Sequence, residues 1–210
     1  MRFWRTFRTR LLLLALSALA ACTTIDSKTA GGRLPERAQA LIDGLGMERI
    51  PHEGAWFVLT HVSDESLTHS LPERYTTPRA LYSAIHTLVT TADFSAMHRL
   101  HTDEFWMFYE GGPLEVLLLY PDGSSAVKVL GEQVLSGQHR QLSVPRGTWM
   151  GARLQQGNPG YALFGNILAP GFDYADYEPG YRDALLARYP DQVDMIRALT
   201  RDDTLTAPTR

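Results

Sequence analysis

The sequence predicts an all-β sandwich or barrel with a short N-terminal helix and helical segments near the C-terminus. Between residues 55 and 168, apolar residues fall into short β-type runs separated by Gly- and Pro-containing turns. None of the intervening segments is long enough for the helix of a parallel βαβ crossover. Helical spacing of apolar residues occurs only before and after this region. Many short strands joined by such turns are typical of two-sheet β folds.

The composition indicates one folded domain with extensions. The chain has 210 residues, of which 44% are hydrophobic and 20% charged, as in ordinary globular domains. Its formal charge is -3. Residues 1–21 contribute four positive charges and no negative one, so the rest of the chain carries -7. Because phosphate contacts need Lys and Arg, we expect no nucleic-acid partner.

The N-terminal segment has the features of a secretory signal over residues 1–21: four arginines, an apolar run from Leu11 to Leu16, then small residues. The segment Leu19-Ala20-Ala21-Cys22 resembles a bacterial lipobox, and Cys22 is the only cysteine of the chain. This resemblance implies cleavage before Cys22 and a diacylglycerol on its thiol, which anchors the protein in the cell envelope. Thr23 implies the outer membrane, facing the periplasm. An ordinary signal peptide with an incidental cysteine is the alternative.

The remaining elements follow in order. Residues 22–33 are small and polar and predict a flexible tether. Apolar residues at helical spacing predict a helix over 34–45, with Pro35 in its first turn and glycines at its end. Helical spacing returns over 181–189 and 193–199, which completes a folded domain over 34–200, and residues 201–210 predict a frayed polar tail. The predicted strands cover residues 56–62, 81–89, 104–109, 114–120, 125–130, 140–144, 149–154 and 161–168.

Two segments carry the polar residues that indicate a site. Within residues 94–116, His98 precedes Glu104 by six positions, and Glu104 precedes Gly111 by seven. The second segment is Val144-Pro145-Arg146-Gly147-Thr148-Trp149. Together they resemble the two cupin motifs, H-x-H-x3-E-x6-G and P-x-G-x2-H. This resemblance implies a cupin double-stranded β-helix, a jelly-roll barrel, and the strand pattern agrees with it.

Further segments are similar to one branch of the cupins, a family of unknown function related to the sugar-nucleotide epimerase cupins. The similarity runs from about residue 38 to residue 200. The chain departs from that family at Ala55, where a second Gly is usual, and in its lipoprotein leader. The similar segments are Pro51-His52-Glu53-Gly54, Arg79-Ala80-Leu81, Ser95-Ala96-Met97-His98-Arg99, Asp103-Glu104-Phe105-Trp106, Gly112-Pro113-Leu114 and Ala169-Pro170-Gly171-Phe172-Asp173-Tyr174.

The cupin motifs are incomplete as a metal site. His98 and Glu104 match two ligand positions, but Leu100 and Met150 stand where the other two histidines belong. His101 is close in sequence, yet strand alternation puts it on the opposite face from His98 unless a bulge intervenes. Two ligands seldom hold a divalent metal. We therefore expect no metal and no other cofactor, with His98, His101 and Glu104 as the less favoured metal set.

Strand alternation predicts a pocket instead. His98, Glu104, Trp106 and Phe108 share the inner face, which gives an acid, an imidazole and two aromatic rings inside the barrel. Such a lining suits a small polar or sugar-like ligand. Trp149 either lines the mouth of the barrel or closes its floor. The alternative is a packed core in which His98 and Glu104 hydrogen-bond each other.

Four other polar residues are weaker candidates. His52 and Glu53 precede Gly54 in a turn and could form a catalytic couple, although turn-stabilising hydrogen bonds are the favoured role. Tyr82 and His86 share a strand face and could reach the pocket, but a structural role is at least as well supported.

The favoured hypothesis is a membrane-tethered cupin lipoprotein that binds a small polar or sugar-like molecule in its barrel; whether it is an enzyme stays open. The alternatives are a sugar-type isomerase or epimerase that uses His98 and Glu104, a metal-dependent cupin enzyme, and a structural envelope protein. The family resemblance also implies a homodimer, since uncovered edge strands favour pairing.

Overall fold

The structure is a computed structural model that describes residues 34–69, 71–156 and 159–204. All of them belong to one unit that runs from Gly31 to Arg210. The predicted signal peptide, Cys22 and the predicted tether lie outside the described residues. Within those ranges, no helix is long and apolar enough to cross a membrane.

Two antiparallel sheets form the domain, and their strands are assigned as follows. The strands are β1 (Glu48–Arg49), β2 (Trp56–Val62), β3 (Ser66–Leu67), β4 (Arg79–Ala80), β5 (Ser83–Thr90), β6 (Ser95–Leu100), β7 (Glu104–Gly111), β8 (Leu114–Leu119), β9 (Ser125–Leu130), β10 (Gln141–Val144), β11 (Trp149–Leu154), β12 (Tyr161–Leu168) and β13 (Tyr177–Pro179).

The six-stranded sheet has the order β1-β2-β5-β12-β7-β10, and the five-stranded sheet has the order β13-β6-β11-β8-β9. Strands β3 and β4 form a separate ribbon. Neighbours in a sheet are mostly distant in sequence, which is the crossing pattern of a jelly roll. The predicted all-β jelly-roll fold is confirmed.

Among the described residues, three α-helices flank the sheets: α1 (Glu36–Leu45), α2 (Arg182–Arg188) and α3 (Val193–Ala198). Helix α1 ends at Gly46, whose φ of 65° is the left-handed conformation that closes helices. Its apolar face packs on the outside of the six-stranded sheet, where Ile42 contacts a cluster with Leu88 and Leu163. Helices α2 and α3 bury Leu185 and Ile196 against residues of the five-stranded sheet.

The main core fills the space between the two sheets. Its members come from facing strands and include Trp106, Leu118, Met150 and Phe164, all nearly inaccessible to solvent. Where helices also cover the outer face of a sheet, both faces of a strand are buried, and its sequence is a nearly continuous apolar run, as in β8. One part of the space between the sheets is open, and the candidate site lies there.

Two sequence-based predictions of local structure need correction. No strand was predicted at residues 95–100 and 177–179, where β6 and β13 are neighbours in the five-stranded sheet, nor at the two-residue strands β1, β3 and β4. The predicted frayed tail begins too early. Arg201 donates from Nη2 to the main-chain oxygen of Glu53 at 2.7 Å and to the carboxylate of Asp93 at 2.6 Å, and a one-turn helix follows at Asp202–Thr204.

Candidate functional site

A cavity of about 290 Å³ opens between the two sheets. Its mouth is formed by partly exposed apolar and aromatic side chains, among them Leu59, Phe172 and Tyr174. Its buried end carries polar side chains. These are Glu53, Thr87, His98, Glu104 and Asn166, each less than a tenth exposed. A mainly apolar cavity with a few placed polar groups is typical of small-molecule sites.

His98 projects into this cavity from β6 with a defined ring orientation. Its Nδ1 lies 2.7 Å from the main-chain oxygen of Ala96, which can only accept a hydrogen bond. Nδ1 therefore carries a proton, and in the neutral imidazole Nε2 is left as the basic atom. Nε2 lies 3.9 Å from Oε2 of Glu53. The ring stacks on Tyr177 with the centroids 5.5 Å apart.

Glu104 opens β7 and is buried at the polar end of the cavity. Burial raises the pKa of this carboxyl from 4.5 to about 7. The neighbouring imidazole of His98 and the polar hydrogens of Trp106 and Asn166 act in the opposite direction, while the Glu53 carboxylate adds to the rise. Oε2 of Glu104 and Nε1 of Trp106 are buried, and neither has a protein partner at normal hydrogen-bond geometry. Both residues line the cavity.

Glu53 is a site residue for which the sequence favoured another role. Its side chain stabilises no turn: Oε1 accepts a hydrogen bond from Oγ of Ser95 at 2.5 Å, and the carboxylate lines the cavity. Its main-chain oxygen accepts from the amide of Ala96 at 3.1 Å. His52, which could have formed a couple with it, is exposed and does not line the cavity. The sequence feature that could have identified Glu53 as a site residue was the Pro51-His52-Glu53-Gly54 segment, which carries part of the family resemblance.

Thr87 and Asn166 were also not identified from the sequence. Oγ1 of Thr87 donates to Oδ1 of Asn166 at 2.6 Å across β5 and β12. The amide group of Asn166 lies close enough to Glu104 to lower the pKa of that carboxyl. Asn166 stands opposite Trp106 in the register of β12 and β7, which brings it to the same end of the cavity as Glu104.

Of the residues predicted for the pocket, His98, Glu104 and Trp106 come together on its wall. Trp106 stacks on Phe164 with ring centroids 5.0 Å apart. Phe108 does not line the cavity, and this part of the prediction needs correction. Its side chain faces inward as alternation requires, but it lies further along β7 than Trp106 and is buried in the main core.

The placement of Trp149 in the pocket is also wrong. Met150 faces the main core, so its neighbour Trp149 points to the other side of β11. There it packs against the cluster of α2 and α3, and the Arg99 guanidinium lies 4.4 Å from its ring. Tyr82 and His86 likewise do not line the cavity: Tyr82 stacks on His61, and His86 contacts the ring of Tyr109.

The residues present do not fit a cupin metal centre. Leu100 lines the cavity and Met150 is buried in the core, so two ligand positions hold apolar side chains. His101, the third residue of the less favoured metal set with His98 and Glu104, is directed away. Its ring nitrogens lie 3.6 Å from Asp176 and 3.5 Å from Glu178. Over the described ranges, no group of three or more His, Cys, Asp or Glu side chains is placed to hold a metal.

Two antiparallel sheets in jelly-roll order that enclose a polar-ended cavity agree with a cupin fold. The family described as Cupin superfamily (DUF985) matches residues 39–179, and the chain belongs to this family. It is 31% identical to a protein of Shewanella oneidensis of known structure, over 78% of this chain and 97% of the other, with a TM-score of 0.68.

A hypothetical protein from Leishmania major is similar as well, at 27% identity and a TM-score of 0.72. The match covers 79% of this chain and 99% of that one. No curated protein matches the chain. The chain is therefore a cupin-domain protein of uncharacterised function.

Proposed function

We propose that this protein binds a small polar molecule in the cavity between its sheets, with sugar-like molecules as the first class to test. The supporting observation is that Oε2 of Glu104 and Nε1 of Trp106 are buried without partners beside an open cavity. A buried polar atom without a hydrogen bond costs about 1–3 kcal/mol. A ligand that pairs with both atoms removes that cost.

The test is ligand screening of the full chain with sugars and small acids, followed by two variants. His98→Ala and Glu104→Gln should weaken binding of any ligand found, while His86→Ala should not, because His86 does not line the cavity. Circular dichroism checks that each variant folds. A ligand whose affinity is the same in all three folded variants binds elsewhere, and no binding from the whole set contradicts the proposal.

A second candidate function, an isomerase or epimerase of sugar-like substrates, is favoured by the pairing of a base with an acid. Nε2 of His98 is free to accept a proton, and the pKa of Glu104 near 7 lets that carboxyl donate one at neutral pH. Acid–base catalysis predicts that a bound substrate exchanges a carbon-bound hydrogen with deuterated water. Exchange should be lost in His98→Ala and Glu104→Gln. A ligand that binds but shows no exchange would contradict the isomerase or epimerase function and leave the binding function standing.

We further propose that the domain is tethered to the cell envelope through a lipid on Cys22, facing the periplasm from the outer membrane. The support is the basic, apolar and small-residue order of the first 22 residues, with the only cysteine at the lipobox position. Cys22→Ser should release the protein from membrane fractions or leave it unprocessed. Normal processing with continued membrane association contradicts the tether.

A further inference from the structure

The lining of the cavity has an unusual charge balance. Its ionisable residues include two carboxyl groups, Glu53 and Glu104, and one imidazole, His98. No Lys or Arg is found among the described residues that line it. A ligand that entered with a negative charge would therefore face two acids and at most one positive ring.

Two arginines close to the cavity, Arg79 and Arg201, already have hydrogen-bond partners in the protein. Arg79 is buried, and its Nε and Nη2 each donate at 2.8 Å to the Asp176 carboxylate. Arg201 donates to the main-chain oxygen of Glu53 and to Asp93. Neither is left to receive a phosphate or carboxylate, and moving an unpaired anion from water into such a place is costly.

The hydrogen-bonding atoms of the lining also favour a ligand that donates hydrogen bonds. The atoms that can accept from a ligand are Oε2 of Glu53, the oxygens of Glu104 and Nε2 of His98. The buried atom left to donate is Nε1 of Trp106. Hydroxyl groups that can both donate and accept also line the cavity, on Ser83, Tyr174 and Tyr177. A ligand rich in N–H or O–H groups satisfies the larger set of acceptors.

Aromatic rings extend this preference toward the mouth. Phe172 and Tyr174 meet edge to face at 4.9 Å, and Tyr177 lies deeper, against His98. All three line the cavity. Aromatic faces attract cations, with greater strength where water is excluded. Carboxylates at the buried end and aromatic rings at the mouth form the surroundings that stabilise a protonated amine.

We propose that the cavity selects small donor-rich molecules without an anionic group, and that it binds a protonated amine more tightly than the matching neutral hydroxyl compound. This inference rests on the proposed binding function and names its ligand class. It separates the protein from cupins that act on sugar nucleotides, because the described lining offers no cation to a diphosphate.

The experiment uses the full chain and three sets of fragments matched in size, with amine, hydroxyl and carboxylate forms of the same skeletons. The readout is the indole N–H resonance of Trp106, assigned with the Trp106→Phe variant. We expect amines and hydroxyl compounds to shift this resonance and the matching carboxylates to bind at least about tenfold more weakly, or about 1.4 kcal/mol. Within each pair, the amine should bind more tightly.

Variants then test whether charge is the cause. Glu53→Gln and Glu104→Gln each remove one acid and should narrow the preference for amines over carboxylates. Glu115→Gln is the matched control, since that carboxylate pairs with Arg153 at 2.9 Å outside the cavity. Carboxylates that bind as tightly as amines, or a preference unchanged in both cavity variants, overturn this inference and leave binding intact. If no fragment shifts the resonance, the binding function fails with it.

Discussion

Met150 of β11 stands directly opposite His98 of β6 in the antiparallel pairing of the two strands. Both side chains are buried between the sheets. In the cupin motifs, the position of Met150 carries a histidine, and the position of Leu100 carries another. Apolar side chains therefore stand where a metal-binding relative has ligands, and the nearest carboxylate oxygen to Nε2 of His98 is Oε2 of Glu53, at 3.9 Å.

Restoring those histidines should create a metal site. In Leu100→His/Met150→His, His98 and Glu104 gain two imidazole partners, and three imidazoles with one carboxylate suit first-row transition metals. We expect about one equivalent of bound metal per chain by elemental analysis after loading. The same double substitution in a His98→Ala background is the control and should lose it. The wild-type chain, purified without a metal-affinity tag, should carry none; one equivalent lost in His98→Ala would contradict the ligand count.

The raised pKa of Glu104 predicts a pH dependence of stability. Because the folded state holds this proton more tightly than the unfolded state, stability from Glu104 is fully present below pH 4.5 and is lost as the pH rises to about 7. The loss has an upper bound of about 3 kcal/mol. Glu104→Gln imitates the protonated carboxyl and should flatten this decline in urea unfolding between pH 5 and pH 8. An unchanged slope contradicts the assignment.

Much of the fold could be predicted from the sequence, because alternating apolar residues and Gly- or Pro-containing turns mark strands directly. Strand β6 was not predicted, although it carries His98. Its sequence, Ser95–Leu100, contains no β-branched residue and does not alternate in polarity. It is buried on both faces because α2 and α3 cover its outer side, so the pattern of a half-exposed strand is absent.

Site residues on strands could be predicted from the sequence, because strand alternation fixes the direction of their side chains. Site residues that are oriented by contacts distant in sequence could not. Alternation placed Glu104 and Trp106 on one wall of the cavity, and the motif resemblance placed His98 with them. Glu53 lies in a turn, where the direction of a side chain has no simple period. It faces the cavity because Ser95 binds its carboxylate and Arg201, 148 residues further along, binds its main-chain oxygen. Neither contact leaves a local signal in the sequence.

Because Trp149 lies outside the cavity, its substitution should lower the stability of the fold without changing ligand affinity. Its ring packs against Arg99 and the residues of α2 and α3. Trp149→Ala should therefore lower the free energy of unfolding by about 2 kcal/mol, less than for a fully buried tryptophan because the side chain is half-buried. Affinity for a cavity ligand should not change, measured by calorimetric titration, which does not depend on the Trp106 resonance. Trp106→Phe, which removes the unpaired N–H at the cavity wall, should weaken the same ligand. Equal losses of affinity in both variants would return Trp149 to the site.

The Arg79–Asp176 pair should contribute strongly to stability although it lies outside the cavity. Both side chains are buried and joined by two hydrogen bonds, so removal of one partner leaves an uncompensated charge. Asp176→Ala should cost about 3–5 kcal/mol in urea unfolding, and the double variant with Arg79→Ala less than the sum of the two single ones. The exposed pair Arg37–Glu110 has the same bidentate geometry, and its removal should change stability little. Strictly additive losses at Arg79 and Asp176 would show that the two side chains act independently.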